Sequence, residues 1–239
     1  MVFNRTNIPD NIEDFLHQIN DEGCALLIDK PLDWTSFDVV AKIRNKFRIK
    51  KIGHAGTLDP LADGLLILCL GKFTKKINQF QDLPKEYIGK VKLGATTKSF
   101  DREFEEENIK DISEISDIDV IRVAESFLGE QEQTPPMFSA KKVKGKRLYE
   151  YARKEQEIEV KSSLVNFYEI KCKFDSPFIE FRIKCSKGTY IRSFARDIGI
   201  KLNTGGYLSS LRRTKIGNFD VKDALTITDI IELKPKTAN

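Results

Sequence analysis

Asp59 is the residue of this sequence whose setting most suggests chemistry. It stands in GHAGTLDPLA, residues 53–62, with two glycines, one of the chain's two histidines (His54) and a proline directly after it. Proline lacks a backbone donor and drives the preceding residue out of the helical region. Asp59 is therefore expected in an extended or turn conformation, its carboxylate aimed by the backbone. A carboxylate on a stiff loop suits a nucleophile or a general base. An Asx turn, in which Asp59 only accepts from nearby amides, would use the same residues. Two basic blocks accompany it: Lys141, Lys142, Lys144, Lys146 and Arg147, then Lys187, Arg192, Arg196, Arg212, Arg213 and Lys215. Each alone reads as a solvated face, but two such blocks flanking candidate site residues point to a polyanion.

The elements that must hold these residues follow from periodicity. Residues 64–70 (GLLILCL) are almost wholly apolar, as in a buried strand that starts at the mouth of the Asp59 loop. Residues 24–29 read as a strand ending at Lys30-Pro31. Thr35 or Ser36 then caps a helix to about Phe47, with Phe37, Val40, Ile43 and Phe47 on one face. Residues 85–93 alternate and put Tyr87 with Gly89, Val91 and Leu93. A helix over 118–128 stops at Gly129, and residues 130–146, with Pro135-Pro136 and the lysine block, read as an exposed irregular insertion. A short helix leaves it over 147–154. Residues 163–174 and 178–185 form an antiparallel pair, 190–202 a helix, 211–216 a strand, and Thr226 caps a last helix to about Leu233. Residues 1–22 read as a helical N-terminal appendage with Ile12, Phe15, Leu16 and Ile19 on one face. With no linker or repeat, residues 23–239 read as one α+β domain on a mixed, mostly antiparallel sheet flanked by helices. It carries an inserted basic arm at about 134–162.

Composition excludes several classes. With 239 residues, 40% hydrophobic and 32% charged, the chain can bury a sizeable core. No apolar run approaches membrane-spanning length, and the N-terminus has no apolar signal core, so a cytoplasmic location is expected. The four cysteines, Cys24, Cys69, Cys172 and Cys185, form no CxxC pair and fit small buried thiols in strands. The net charge of +4 is mild, so any affinity for a polyanion must come from how the charge is distributed.

Six segments occur in order: Lys30-Pro31 with Thr35-Ser36, GHAGTLDPLADG, KEYIGKVKLG, TPPMFSAKKVKGKRLYEYAR, CSKGTYIRSFARDIG and LRRTKIGNF. Together, over roughly residues 24–233, they resemble the bacterial tRNA pseudouridine-55 synthases, which isomerise one uridine in the T-loop of transfer RNA. The resemblance implies a pseudouridine-synthase fold, no metal and no organic cofactor. It implies a tRNA T-arm stem-loop as substrate, and a monomer with no membrane contact and no obligate protein partner. Asp59 falls on the family's catalytic aspartate, Tyr87 on its active-site tyrosine and Arg192 on its aspartate-pairing arginine. Tyr190 and Leu211 fall on pocket-lining positions, and His54 on the residue that helps hold displaced loop bases. Lys30 counts among the substrate-binding residues, Lys141 and Lys142 belong to a phosphate-gripping arm, and Arg212 and Arg213 are expected to add phosphate contacts. From residue type alone, Arg192 could equally be a phosphate contact or a surface pair, Tyr87 a core aromatic, and His54 a satisfied core histidine.

Three features depart from the family pattern. Asp33 stands where a glycine is usual, and aspartate tolerates the left-handed turn at modest cost. Lys98 and Phe104 replace an acidic residue and a glycine in a loop that keeps Asp101. The chain, ending at Asn239, is also expected to lack the small C-terminal RNA-binding domain that many members carry. The reaction breaks C1′–N1, turns the base and joins C1′ to C5. The residues leave attack at C1′ or at C6 open, while the resemblance implies a glycal-type path with Asp59 assisting departure of the base. A uridine in a folded loop must be extruded first. An RNA-folding chaperone on a synthase scaffold is the alternative. A guided synthase within a ribonucleoprotein would need docking surface that this short chain lacks.

Overall fold

Two strands, residues 24–30 and 62–70, are apolar at nearly every position, and the computed structural model shows why: both of their faces are covered. It describes residues 1–9, 11–156 and 158–233. The chain divides into two units, one built from the residues before Tyr87 together with those from Arg212 on, the other from Tyr87–Leu211.

In chain order the first unit contains β1 (Val2–Phe3), α1 (Ile12–Asp21), β2 (Cys24–Lys30), α2 (Ser36–Phe47), β3 (Ile52–His54), β4 (Ala62–Leu70) and α3 (Ile77–Gln81). Strand β5 (Lys85–Leu93) leads into the second unit, which holds α4 (Asp117–Glu125), β6 (Gly129–Gln133), β7 (Lys142–Val143), β8 (Lys146–Arg147), α5 (Leu148–Ala152), β9 (Ser163–Asp175), β10 (Phe178–Cys185) and α6 (Ile191–Lys201). Strand β11 (Gly206–Ile216) returns the chain to the first unit, which ends in β12 (Phe219–Asp220) and α7 (Ile227–Ile231). Both passages run inside strands, so no Gly-, Pro- or Ser-rich linker marks the boundary in the sequence. Among the described residues, ten of the twelve strands belong to mixed, mainly antiparallel sheet, and β7 and β8 pair with each other. The fold is thus α+β, as expected.

In the first unit β1 lies parallel to β2, β2 runs antiparallel to β4 from Cys24 opposite Leu70 to Lys30 opposite Gly64, and β3 also pairs with β4. Alternate residues of β2 and β4 enter two cores. Cys24, Leu26, Ile28, Leu66, Leu68 and Leu70 meet Phe15 and Ile19 of α1, Val39, Val40, Ile43 and Phe47 of α2, and Ile230 of α7. Ala25, Leu27, Leu65, Ile67 and Cys69 meet Phe80, Ile216 and Ala224. The N-terminal segment is therefore no appendage: β1 extends the sheet, and α1 closes one core with Phe15 and Ile19. Within α2, Phe37 is 63% exposed and Val39 takes the core position expected of it.

In the second unit β10 alternates buried Ile179, Phe181, Ile183 and Cys185 with Glu180, Arg182 and Lys184, and pairs antiparallel with β9. The rings of Phe127, Phe167 and Phe181 pack around Phe194 of α6 at centroid separations of 5.1, 5.7 and 5.9 Å. Residues 130–133, expected to be irregular, form β6 on the edge of β9 despite the polar sequence GEQEQ. Pairing with a long neighbour overrides weak strand propensity there. The basic arm is likewise ordered. Strands β7 and β8 form a hairpin whose central residues, Lys144 and Gly145, have φ of 48° and 84°, the left-handed pair a two-residue primed turn requires.

Candidate functional site

The Asp59 loop joins β3 to β4, and four separate groups of the first unit fix it. Thr35 and Asp38 form a reciprocal capping box at the start of α2, which holds Ser36 in place. The Ser36 hydroxyl donates to the Leu58 carbonyl (3.1 Å) and accepts from the Leu58 amide (2.9 Å), clamping the residue before Asp59. The Asp33 amide donates to the Pro60 carbonyl at 2.9 Å. Asp33 has φ 63°, so the aspartate does occupy the left-handed position where the family favours glycine. The Ala62 amide closes the Asp-Pro turn onto the Asp59 carbonyl at 3.1 Å, and Asp59 itself is half-buried.

Beneath the loop lies Arg213 of β11, 1% exposed. Its Nε donates to the Leu65 carbonyl (2.7 Å), Nη2 to Gly56 (3.1 Å) and Nη1, at a long 3.5 Å, to Thr57. Strand β4 comes close to β11 here. Gly64 has φ +100°, and a Cβ on it would stand 2.4 Å from the Arg213 carbonyl oxygen, so the position admits glycine alone. The expected phosphate contact by Arg213 is corrected: a guanidinium enclosed by three carbonyls cannot reach a backbone phosphate. Its neighbour Arg212 is committed to carboxylates, with Nη1 on Asp63 and Nη2 on Asp29, both at 2.7 Å. Lys30, expected to touch substrate, is 0% exposed, and its ammonium donates to the carbonyls of Pro31 and Trp34. Burial pushes its pKa down to about 8, against the pull of Asp63, Asp59 and Asp33. It fastens the turn that carries Asp33.

His54 ends β3 in a half-buried position. Burial, and next the charge of Arg213, hold its pKa below the ordinary histidine value, so the ring is neutral at physiological pH. Its Nδ1 is buried without a hydrogen-bond partner among the described residues.

The other predicted residues lie in the second unit. Tyr87 is 8% exposed on β5, on the core side that alternation predicts. Tyr190 is the residue before α6, its backbone gripped both ways by one side chain: its amide donates to Gln133 Oε1 (2.8 Å) and its carbonyl accepts from Gln133 Nε2 (3.1 Å). Gln133 lies 57 residues away on an edge strand, and no local signal marks it. Arg192, 5% exposed in the first turn of α6, donates to the carbonyls of Ser99 (3.1 Å) and Phe138 (2.8 Å) and lies 3.5 Å from the Asp101 carboxylate. Asp101 also accepts from Ser99 Oγ (2.6 Å) and the Glu103 amide (2.9 Å), which gives the retained aspartate of that loop a defined task. Leu211 is half-buried on β11. Phe104 packs on Phe138 at 4.9 Å, and Lys98 and Phe104 line a cleft of about 1120 Å³ with Met137, Phe138 and Arg153. In the arm, Lys142, Lys144, Lys146 and Arg147 are exposed, while Leu148 is buried as its anchor. Lys141 is drawn back onto Ser163 Oγ (2.9 Å), so the outward charge belongs to its neighbours.

Comparison with known proteins identifies the family. Residues 44–191 match the profile of the TruB family pseudouridylate synthase N-terminal domain, and residues 192–237 that of the tRNA pseudouridylate synthase B C-terminal domain. The tRNA pseudouridine synthase B of Chloroherpeton thalassium is 49% identical over 231 residues, 94% of this chain and 96% of its own length. The protein of that name from Flavobacterium johnsoniae is 50% identical over 215 residues, 87% of this chain and 94% of its own. Among solved structures, a chain of a Cbf5-Nop10-Gar1 complex superposes with a TM-score of 0.70 at 28% identity, over 96% of this chain and 58% of that one. The profiles cover residues 44–237 without a break, the relatives match most of the chain at about half identity, and the chain belongs to the TruB family of pseudouridylate synthases.

Proposed function

We propose that this chain isomerises uridine to pseudouridine at position 55 in the T-loop of transfer RNA, with Asp59 as the acting carboxylate. One observation carries the reading. In a member of this family, the loop bearing Asp59 is fixed by Ser36, Asp33 and Arg213, while the carboxylate's own residue stays half-buried. A reacting group held in one geometry saves the entropy of orienting it in the transition state.

The chemistry needs few parts. The C1′–N1 bond breaks, the base turns, C1′ bonds to C5, and in balance a hydrogen leaves C5 while one is gained at N1. Asp59 assists departure of the base along a glycal-type path, and Tyr87 supplies the phenol for proton transfer. Arg192 serves as a counter-charge for the acting carboxylate. Tyr190 and Leu211 line the base pocket. Neutral His54 takes the place of the extruded base, its flat ring offering a stacking surface. The arm, through Lys142, Lys144, Lys146 and Arg147, grips phosphates. The protein works as a monomer in the cytoplasm, without a protein partner.

Asp59→Asn tests the assignment, because the amide keeps the shape of the carboxylate and loses its charge and nucleophilicity. Pseudouridine mapped chemically in a T-arm RNA should vanish, while affinity by filter binding holds or tightens. Turnover at a wild-type-like rate would show that Asp59 is not the acting group. A wild-type protein that binds T-arm RNA and leaves no pseudouridine in it would identify an RNA-folding module instead.

A further inference from the structure

Arg213 poses a physical question. A fully buried guanidinium is costly unless its charge is met, and among the described residues no carboxylate lies within ion-pair distance of it. The adjacent Arg212 takes two carboxylates in the same short stretch of strand. Arg213 instead directs its fork at three main-chain carbonyls, and their location is specific. Gly56 and Thr57 lie at the start of the Asp59 loop, and Leu65 lies just beyond its end, in β4. One planar side chain thus staples the two ends of the loop together. Lysine could not do this, since an ammonium is a point charge on a flexible stem and cannot address three carbonyls in fixed directions at once.

We propose that Arg213 is a positioning residue for the isomerisation: its fork sets the direction in which the loop presents Asp59, by shape as well as by charge. The inference rests on the reading of Asp59 as the acting carboxylate. Ser36 and the Asp33 amide hold the middle of the loop, and Arg213 holds its two feet. The same cation lies near enough to His54 to favour the neutral ring, so one buried charge conditions two neighbouring site residues.

Arg213→Lys keeps the charge and removes the fork. The expected result is a single-turnover rate on saturating T-arm RNA lower by about 10²-fold, the scale of a small misplacement of a reacting group, with affinity changed by less than about threefold. Arg213→Ala opens a guanidinium-sized space. Free guanidinium at millimolar concentration should restore at least about tenfold of its lost rate, and methylammonium should not. Melting curves on the same preparations place every assay below unfolding. An Arg213→Lys rate within about threefold of wild type overturns the proposal, as does a loss that follows the fraction unfolded at each temperature. A variant unfolded even in the cold makes Arg213 a requirement of folding and also overturns it. The underlying reading fails separately: wild type would then make no pseudouridine, or Asp59→Asn would turn over.

Discussion

Replacing Ser36 by alanine removes a single oxygen atom and should disturb both stability and rate. That oxygen serves both polar groups of Leu58, accepting from its amide at 2.9 Å and donating to its carbonyl at 3.1 Å. Ser36 and Leu58 are buried, and the space left by one hydroxyl is too small for a water molecule. Both groups of Leu58 would then stay unsatisfied, at about 1–3 kcal/mol each. Allowing for partial relaxation, the loss of stability should be about 2–4 kcal/mol, a fall in melting temperature of about 5–15 °C for a chain of this size. The residue freed is the one before Asp59, so the single-turnover rate should also drop by about 10²-fold while affinity for T-arm RNA stays within about threefold. The control is Ile183→Ala, a buried truncation in β10 of similar thermodynamic cost at about 2–5 kcal/mol, which should leave the rate near wild type below its melting point. Equal rate losses in the two variants would show that the rate follows global stability and not the clamp. A Ser36→Ala protein with wild-type rate would refute the argument outright.

Three further outcomes are expected. Tyr87→Phe keeps the ring and removes the phenol, and the rate should fall by about 10²- to 10⁴-fold with RNA affinity little changed; equal speed in stopped-time assays would reduce Tyr87 to packing. Alanine at Lys142, Lys144 and Lys146 together should weaken RNA binding and lower the slope of log affinity against log salt by about 2, while the rate at saturation stays within about tenfold. A collapsed rate at unchanged affinity would mean that the arm touches the reacting base. Lys30 predicts a pH dependence of stability. Its folded value of about 8 lies below the ordinary 10.5, so between those values the unfolded chain holds the extra proton. Stability should therefore rise with pH across that window by up to about 3 kcal/mol and be level below it. Lys30→Met should abolish that rise in urea titrations, and parallel curves for the two proteins would contradict it.

The features read correctly from sequence are those whose causes are local. Thr35 and Thr226 cap helices through side chains three residues away, and the alternation in β10 needs only one buried face. Asp33 could be placed in a left-handed turn because the family it resembles carries glycine there and aspartate tolerates that conformation. The fates of Lys30, Arg212 and Arg213 could not be read in this way. A basic residue in a candidate site looks the same whether it faces phosphate or a carbonyl 148 residues distant, as the Arg213 contact with Leu65 is. Strand β6 was hidden because its order comes from β9, and Gln133 because its partner Tyr190 lies on another element. The N-terminal segment misled for a related reason. Its amphipathic helix was visible, but the core that receives Phe15 and Ile19 is assembled from β2, β4 and α2.

Burial of β2 and β4 on both faces bears on how the protein breathes. Amide hydrogens in such strands exchange with solvent only when the layers on both sides are lifted, an opening close in free energy to complete unfolding. Loops that carry reacting groups are often drawn from the least protected parts of a fold. Here the loop that carries Asp59 runs directly into β4, and the Ala55 amide at its start is bonded to the Ile67 carbonyl of that same strand. Deuterium should therefore enter the helical termini and the arm hairpin long before the amides of β4 and the bonded loop amides of Ala55 and Leu58. Those loop amides should keep their protons on the timescale of whole-unit unfolding.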